Sequence, residues 1–301
     1  MICSLAGPPA QLSGTEVKVT GLQIHTFGFA HTDRDGQRVH WESGAARDVL
    51  HYLLCFPAGR RREELLSDLW NTDDERGGKN RFRVTLHRLR AALARPDAVI
   101  EDDGRYALHP EVLGASDVGR FYSALSRFER AGDPQQRRAA LEQATGLYRG
   151  DFLSGQTAGW VNEAREEHQA AYVRANLELS LLRCDARECQ ASAQSLASAL
   201  HTDPFVGENY HQRLMACVSR VEGKYAATEH YRRFAAFLSE QLGDTPMPET
   251  VDLAQRIKCG EAPCFLETAP HQGLAQPVAG LCPLLPGSRC SQALSEALQL
   301  N

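Results

Sequence analysis

GKNRFRVTLHRLRAAL, residues 78–93, reads as one helix with two unlike faces. At about 100° per residue, Phe82, Leu86, Leu89 and Leu93 fall in one narrow stripe, the spacing of a helix pressed on a core. Roughly opposite lie Asn80, Arg81, Val84, His87, Arg88 and Ala91. Arg83 and Arg90 take one flank and Thr85 the other. From Arg76 to Arg95 there are seven Arg or Lys residues and no Asp or Glu, in a chain of formal net charge -5. Such a basic face with short polar residues suits a DNA major groove. Arg reaches guanine bidentately, Asn reaches adenine, and a small apolar side chain touches a thymine methyl. The same pattern also serves as a plain solvated face, so the neighbouring segments decide.

Upstream, Leu22, Ile24, Phe27 and Phe29 alternate as in a strand, and the turn cluster Asp33-Arg34-Asp35-Gly36 leads to Val39 and Trp41. Ala45 to Phe56 carries apolar residues at helical spacing and is stopped by Pro57 and Gly59. Arg62 to Trp70 is a second short helix, and Asn71 to Gly77 a polar, acidic loop. After Pro96, Val99-Ile100 and Tyr106-Ala107-Leu108 are short strands around Asp103-Gly104, a hairpin. Strands, three helices with the third basic, and a two-stranded wing make a winged helix-turn-helix.

Residues 18–110 resemble an OmpR-type DNA-binding domain, through RREELLSDLW in the second helix, RFRVTLHRLRAAL in the third and DGRYAL in the wing. The resemblance implies that the third helix enters the major groove and that the wing touches the backbone or minor groove beside it. The expected DNA-binding set is Lys79, Asn80, Arg81, Arg83, Val84, Thr85, His87, Arg88, Arg90 and Arg105. Arg88, midway along the groove face, is expected to read a base, while Arg81, Thr85 and Arg90 hold phosphates. The family's loop before the third helix often meets RNA polymerase, which puts Asp73, Asp74 and Glu75 forward as a polymerase contact. Two departures stand out. Thr85 replaces a common His, and the wing carries Glu101, Asp102 and Asp103 with Arg105 as its only cation.

Beyond Pro110 the chain is helical, with apolar blocks over 118–128, 138–147, 160–182, 192–200, 208–218 and 225–238. Helix pairs with short breaks suggest tetratricopeptide-like repeats, an ordinary helical bundle being the alternative. Residues 115–258 resemble a bacterial transcriptional activation domain. The resemblance rests on LYRGDFLSG, on Asp203-Pro204 followed by Glu208, His211, Leu214 and Met215, and on Leu242-Gly243 leading to Pro246, Pro248, Glu249 and Thr250. Behind an OmpR-type head, this arrangement is similar to the SARP-type activators. The fold class is therefore expected to be mainly α with a small β component, a winged helix followed by an all-α helical-repeat domain.

Several classes are disfavoured. No G-x-x-x-x-G-K-[ST], G-x-S-x-G or H-E-x-x-H occurs, so neither an ATPase nor an enzyme is expected. About 17 residues precede the first strand, too few for a receiver domain, and the chain is expected to be the minimal activator. The nine cysteines form no CxxC pair and no Cys/His cluster with zinc spacing, so no metal and no cofactor are expected. An odd cysteine count without a signal peptide points to the cytoplasm, and no apolar run is long enough for a membrane span. Residues 1–17 and 262–301 are expected to be a flexible N-terminus and a disordered tail, the latter with five prolines and three charges from Ala262 on. Implied partners are promoter repeats in double-stranded DNA, RNA polymerase, and a second protomer, as a homodimer or in tandem on DNA. The alternative is a helical adaptor whose basic head binds nucleic acid non-specifically or an acidic protein.

Overall fold

The structure, a computed structural model, describes residues 21–71 and 75–264, with the backbone alone for 75–77. The expectations for residues 1–17 and for 265–301 fall outside the described residues. Strand β1 (Leu22–His25) pairs antiparallel with β2 (His31–Arg34), and β2 with β3 (Gln37–Arg38). Asp35 and Gly36, at φ 52° and 77°, make the two-residue turn between β2 and β3. The apolar alternation suggested a strand running on to Phe29, but β1 stops at His25. Beyond it the chain turns toward the helical region: Phe27 forms a bridge with Phe152, and Phe29 is 89% exposed.

Helices α1 (Gly44–Cys55), α2 (Arg62–Trp70) and α3 (Glu75–Ala92) follow, and then the wing strands β5 (Val99–Asp102) and β6 (Arg105–Leu108). A short strand, β4 (Arg60–Arg61), adds to β6, giving the sheet order β4-β6-β5. The wing turn is tighter than the sequence suggested. Asp103 and Gly104, at φ 46° and 73°, turn the chain by themselves. Helix α3 starts three residues earlier than its pattern, despite Gly77 and Gly78. At Gly78 a Cβ would lie 3.1 Å from Leu66 Cδ1 on α2. A residue without a side chain lets the two helices close at that point.

From there the chain is helical: α4 (Pro110–Gly114), α5 (Asp117–Arg130), α6 (Pro134–Leu147), α7 (Asn162–Asp185), α8 (Cys189–Thr202), α9 (Glu208–Val221), α10 (Lys224–Phe237) and α11 (Pro248–Lys258). Each of α5 to α10 packs on its successor, the serial arrangement of a helical-repeat array. Local sequence sets the ends. Ser116 caps α5 by accepting from Gly119 N, and Asp133 caps α6 ahead of Pro134 in its first turn. The far end is closed by Glu208, whose carboxylate accepts from Met247 N at 3.0 Å and from the Thr250 hydroxyl at 2.5 Å. The two motifs around Glu208 and Thr250 thus meet in space.

One continuous core runs from Leu22 in β1 through the three-helix head to Leu179 in α7. Its junction is Asp117, which is 4% exposed. The carboxylate accepts from Thr26 N at 2.9 and 2.8 Å, from Phe27 N at 3.0 Å and from the Thr26 hydroxyl at 2.5 Å. Around it Ile24 N donates to Ala115 O, Leu153 N to Thr26 O and Gly28 N to Asp151 O. Two smaller clusters continue the core along the array, one around Leu196 and Leu214 and one around Met215 and Ile257.

Removing the junction carboxylate should loosen both halves together. Asp117→Ala leaves the Thr26 and Phe27 N–H groups buried without acceptors. It is expected to cost about 1.5–3 kcal/mol or more, read as a lower midpoint in urea or thermal unfolding. Acid should act through buried histidines. Burial pushes His168 down to about 3, and burial, with Arg47 and His211 respectively, pushes His51 and His230 down to about 4. These imidazoles are neutral when folded, whereas unfolded ones titrate near 6.5, so below that pH the unfolded chain binds more protons. Their contribution is complete above about pH 6.5 and falls by about 1.4 kcal/mol per pH unit per proton toward about pH 4. Unfolding midpoints from neutral pH down to about pH 5 check this, and His168→Gln should flatten the slope.

Candidate nucleic-acid interface

Helix α3 is wedged among three partners. Its apolar stripe, Phe82, Leu86, Leu89 and Leu93, is buried in the head core, as its spacing required. The flank carrying Gly78 and Arg81 faces α2, where Gly78 meets Leu66 and the Arg81 guanidinium lies 4.7 Å from the centre of the Trp70 ring. The other flank faces the wing. Phe82 packs edge-on against Tyr106 with ring centres 4.8 Å apart, and Arg90 Nη2 donates to Val99 O at 2.8 Å.

That wedging corrects two of the expected phosphate contacts. Thr85 is 4% exposed and its hydroxyl donates to Arg81 O at 2.8 Å, so it cannot reach a phosphate. Arg90 is half-buried, with its guanidinium spent on β5, and it braces the wing instead of facing solvent. Arg95, the last cation of the basic stretch, is also structural. It joins Asp97 at 2.9 Å and Glu111 at 2.5 Å, which raises its own pKa, and its hydrogen bond holds the Asp97 carboxyl below the usual range.

The rest of the expected set stays together. Lys79, Asn80, Arg81, Arg83, Val84, His87 and Arg88 are all exposed on α3, with Ala91, outside that set, exposed beside them. Val84 supplies an apolar point among them, 39% exposed. Arg105 is exposed on β6, opposite Asp102 in the ladder, and reaches Gly59 O at 3.3 Å. The wing carboxylates sort differently. Burial and a hydrogen bond from its hydroxyl to Glu101 raise the pKa of Tyr106, so that carboxylate is directed onto the wing's own tyrosine. Asp73 and Asp74 lie outside the described residues, as does the side chain of Glu75.

A cleft of about 370 Å³ opens beside the second half of α3, lined by Arg34, Arg38, His40, Trp41, His87 and Arg88 among others. Arg34 Nη1 donates to Ala92 O at 2.7 Å, placing a cation on the C-terminal end of α3 where the helix dipole favours it. The β2–β3 hairpin thus stands beside the exposed face of α3, with Arg34 held on Ala92 O and Arg38 paired to Asp33 at 2.9 Å. Sequence reading passed over it because these residues sit in a mixed-charge turn, and only the fold brings them beside Arg88.

Residues 116–258 match the family model of the bacterial transcriptional activator domain. The chain is similar to the regulatory protein AfsR of Streptomyces coelicolor, 27% identical over 244 residues, 78% of this chain and 24% of that protein. It is also similar to AfsR of Streptomyces griseus, 28% identical over 200 residues, 64% of this chain and 20% of that protein. The chain therefore spans about a quarter or less of the length of these curated relatives. A solved structure, Mycobacterium tuberculosis EmbR in complex with a low-affinity phosphopeptide, shares the fold. The TM-score is 0.63 over 93% of this chain and 69% of that one, at 19% identity.

The two arginines of α3 should separate in a stability measurement. Arg90→Ala removes a half-buried hydrogen bond to β5 and its packed stem, and is expected to cost about 1–2 kcal/mol. Arg88→Ala, on the exposed face, should stay within about 0.5 kcal/mol of the parent. Urea unfolding of both variants checks the contrast.

Proposed function

We propose that this chain, whose residues 116–258 match the bacterial transcriptional activator domain, is a SARP-type transcriptional regulator that binds promoter DNA through α3 and activates transcription by recruitment. The observation that carries this reading is the exposed strip Asn80, Arg83, Val84, His87, Arg88 and Ala91, held on a helix whose other sides are all packed. It offers bidentate donors, an amide and small apolar groups in the order of a major-groove reader. Arg88 reads a base, and Lys79, Arg81 and Arg83 approach phosphates. The wing, residues 99–108, lies along the neighbouring backbone with Arg105 toward it. The net charge of -5 does not oppose this, since the local patch meets the DNA.

One head covers only a few base pairs, so two protomers occupy neighbouring direct repeats, about one helical turn apart. Residues 18–110 act as the DNA-binding unit and 115–258 as the activation unit, in the cytoplasm. Footprinting on the region upstream of the chain's own coding sequence, against a random duplex of equal length, tests the reading. An adaptor with a loosely basic head would show only the salt-dependent, sequence-independent part of binding.

Within that complex, Arg88→Ala should cost about 1–3 kcal/mol and relax preference at one base pair. Arg83→Ala should weaken all sequences alike and lower the salt slope by about 1. Titrations at several salt concentrations on matched and singly mismatched duplexes distinguish the two. Asp73 and Asp74 directly precede α3 in sequence, and Glu75 is its first residue. Carboxylates there would repel phosphate, which supports a contact with RNA polymerase. Replacing all three by Ala is expected to leave operator affinity intact or slightly tighter and to lower transcription in a purified system. A joint fall of binding and transcription would make the segment structural.

A further inference from the structure

The β1–β2 hairpin carries a side-chain cluster that the function above does not use. His25 and His31 are opposite partners in the antiparallel ladder, and their rings stack with centres 4.3 Å apart and planes 15° apart. Asp33, two residues on from His31, puts its side chain on the same face of β2. Its Oδ2 lies 3.6 Å from His31 Nε2 and 3.9 Å from His25 Nε2, and the three donor atoms all lie within 4.8 Å of one another.

Two of the three donors, His31 and Asp33, are held from behind. His31 Nδ1 is 2.9 Å from Phe29 O, and as a carbonyl only accepts, Nδ1 bears a proton and Nε2 is the nitrogen turned toward Asp33. Arg38 Nε donates to Asp33 Oδ1 at 2.9 Å, leaving Oδ2 turned to the two imidazoles. A backbone carbonyl behind a histidine and an arginine behind a carboxylate are the supports that metal ligands have. The side chains of the three ligands are only about a quarter exposed.

We propose that His25 Nε2, His31 Nε2 and Asp33 Oδ2 bind one divalent transition-metal ion of the zinc class, with water in the remaining position. Donor distances of about 2.0–2.2 Å require triangle edges near 3.4 Å, so the two edges to the carboxylate close by about half an ångström or less. Two nitrogens and one oxygen select a borderline ion such as Zn²⁺ over Mg²⁺ or Ca²⁺. The ion would staple the loop end of the β1–β2 hairpin, where His25 pairs with His31. Immediately next to it are Thr26, held by Asp117, and Arg34, held on the end of α3. Metal binding would therefore stiffen the piece that links α3 to the helical array.

Titration of chelator-stripped full-length chain with ZnCl₂ by calorimetry, and with CoCl₂ by visible absorption, tests the site. One ion per chain is expected, with a cobalt spectrum that lacks the near-ultraviolet charge-transfer band of thiolate ligation. His31→Ala, and separately Asp33→Asn, which keeps shape and hydrogen bonding, should each weaken binding by at least ~10-fold. Far-ultraviolet circular dichroism confirms that each variant folds. The parent's melting temperature should rise with metal and the variants' should not. Absence of stoichiometric binding by the parent, a thiolate band, or unchanged affinity in Asp33→Asn overturns the proposal; in the first case the cluster is an ion pair only. Operator binding by metal-free chain would leave the functional reading standing whatever the titration shows.

Discussion

The buried carboxylate of Asp117 is the interaction on which the arrangement of the molecule depends. At the end of β1 the chain leaves its ladder while still inside the protein, and the N–H groups of Thr26 and Phe27 need acceptors there. Leaving such groups unpaired costs about 1–3 kcal/mol each. Asp117 answers both, and as the first residue of α5 it places its charge where the helix dipole favours an anion. From the end of β1 through Gly28 the backbone is then paired to Ala115 on one side and to Asp151, Leu153 and Ser154 on the other. The head is therefore built into the first turns of the array and shares its core.

A second consequence concerns α3. Arg34 ties its C-terminal carbonyl to β2, and β2 is paired to the strand that Asp117 anchors. Together with the α2 and wing contacts, this fixes the direction of the exposed strip relative to the helical array. The wedging also decides which cations are available. Arg90 and Arg95 hold the wing and its flanking loop, and the cations left facing outward on α3 include Lys79, Arg81, Arg83 and Arg88. A count of basic residues along the chain overstates the contact charge, because some of it is spent on placing the rest.

Much of this was legible in the sequence, and the exceptions have physical reasons. The two Asp-Gly turns and the apolar stripe of α3 are local signals, and each was met where expected. Thr85 and Arg90 were misplaced because each sits about 70° from the centre of the stripe, where helical phase alone leaves burial undecided. What decides it is tertiary: α2 stands against one flank and the wing against the other. The strand HTDR, residues 31–34, carries no apolar alternation and holds its place through ladder hydrogen bonds, so it was invisible to periodicity. The Asp117 clamp spans more than ninety positions, beyond any spacing rule. His25, His31 and Asp33 have no zinc-motif spacing either; only the register of a hairpin makes them neighbours.

The helical array shows the complementary case, where resemblance carried information that periodicity lacked. Asp203-Pro204 and His211 look unrelated as a spacing, yet His211 Nε2 sits 3.3 Å from Pro204 O while its other nitrogen meets His230 at 3.3 Å. His211 also stacks on Phe234, so one imidazole joins the α8–α9 turn to α9 and α10. Glu208 then closes α11 over α9 by accepting from Met247 and Thr250. A serial array has no sheet to bind its ends, so its last helix keeps its place only through contacts to its immediate neighbours. Residues that make those contacts are polar, scattered in sequence and individually unremarkable. They reveal themselves as a set only once the turn after α8, the start of α9 and the start of α11 are seen to converge.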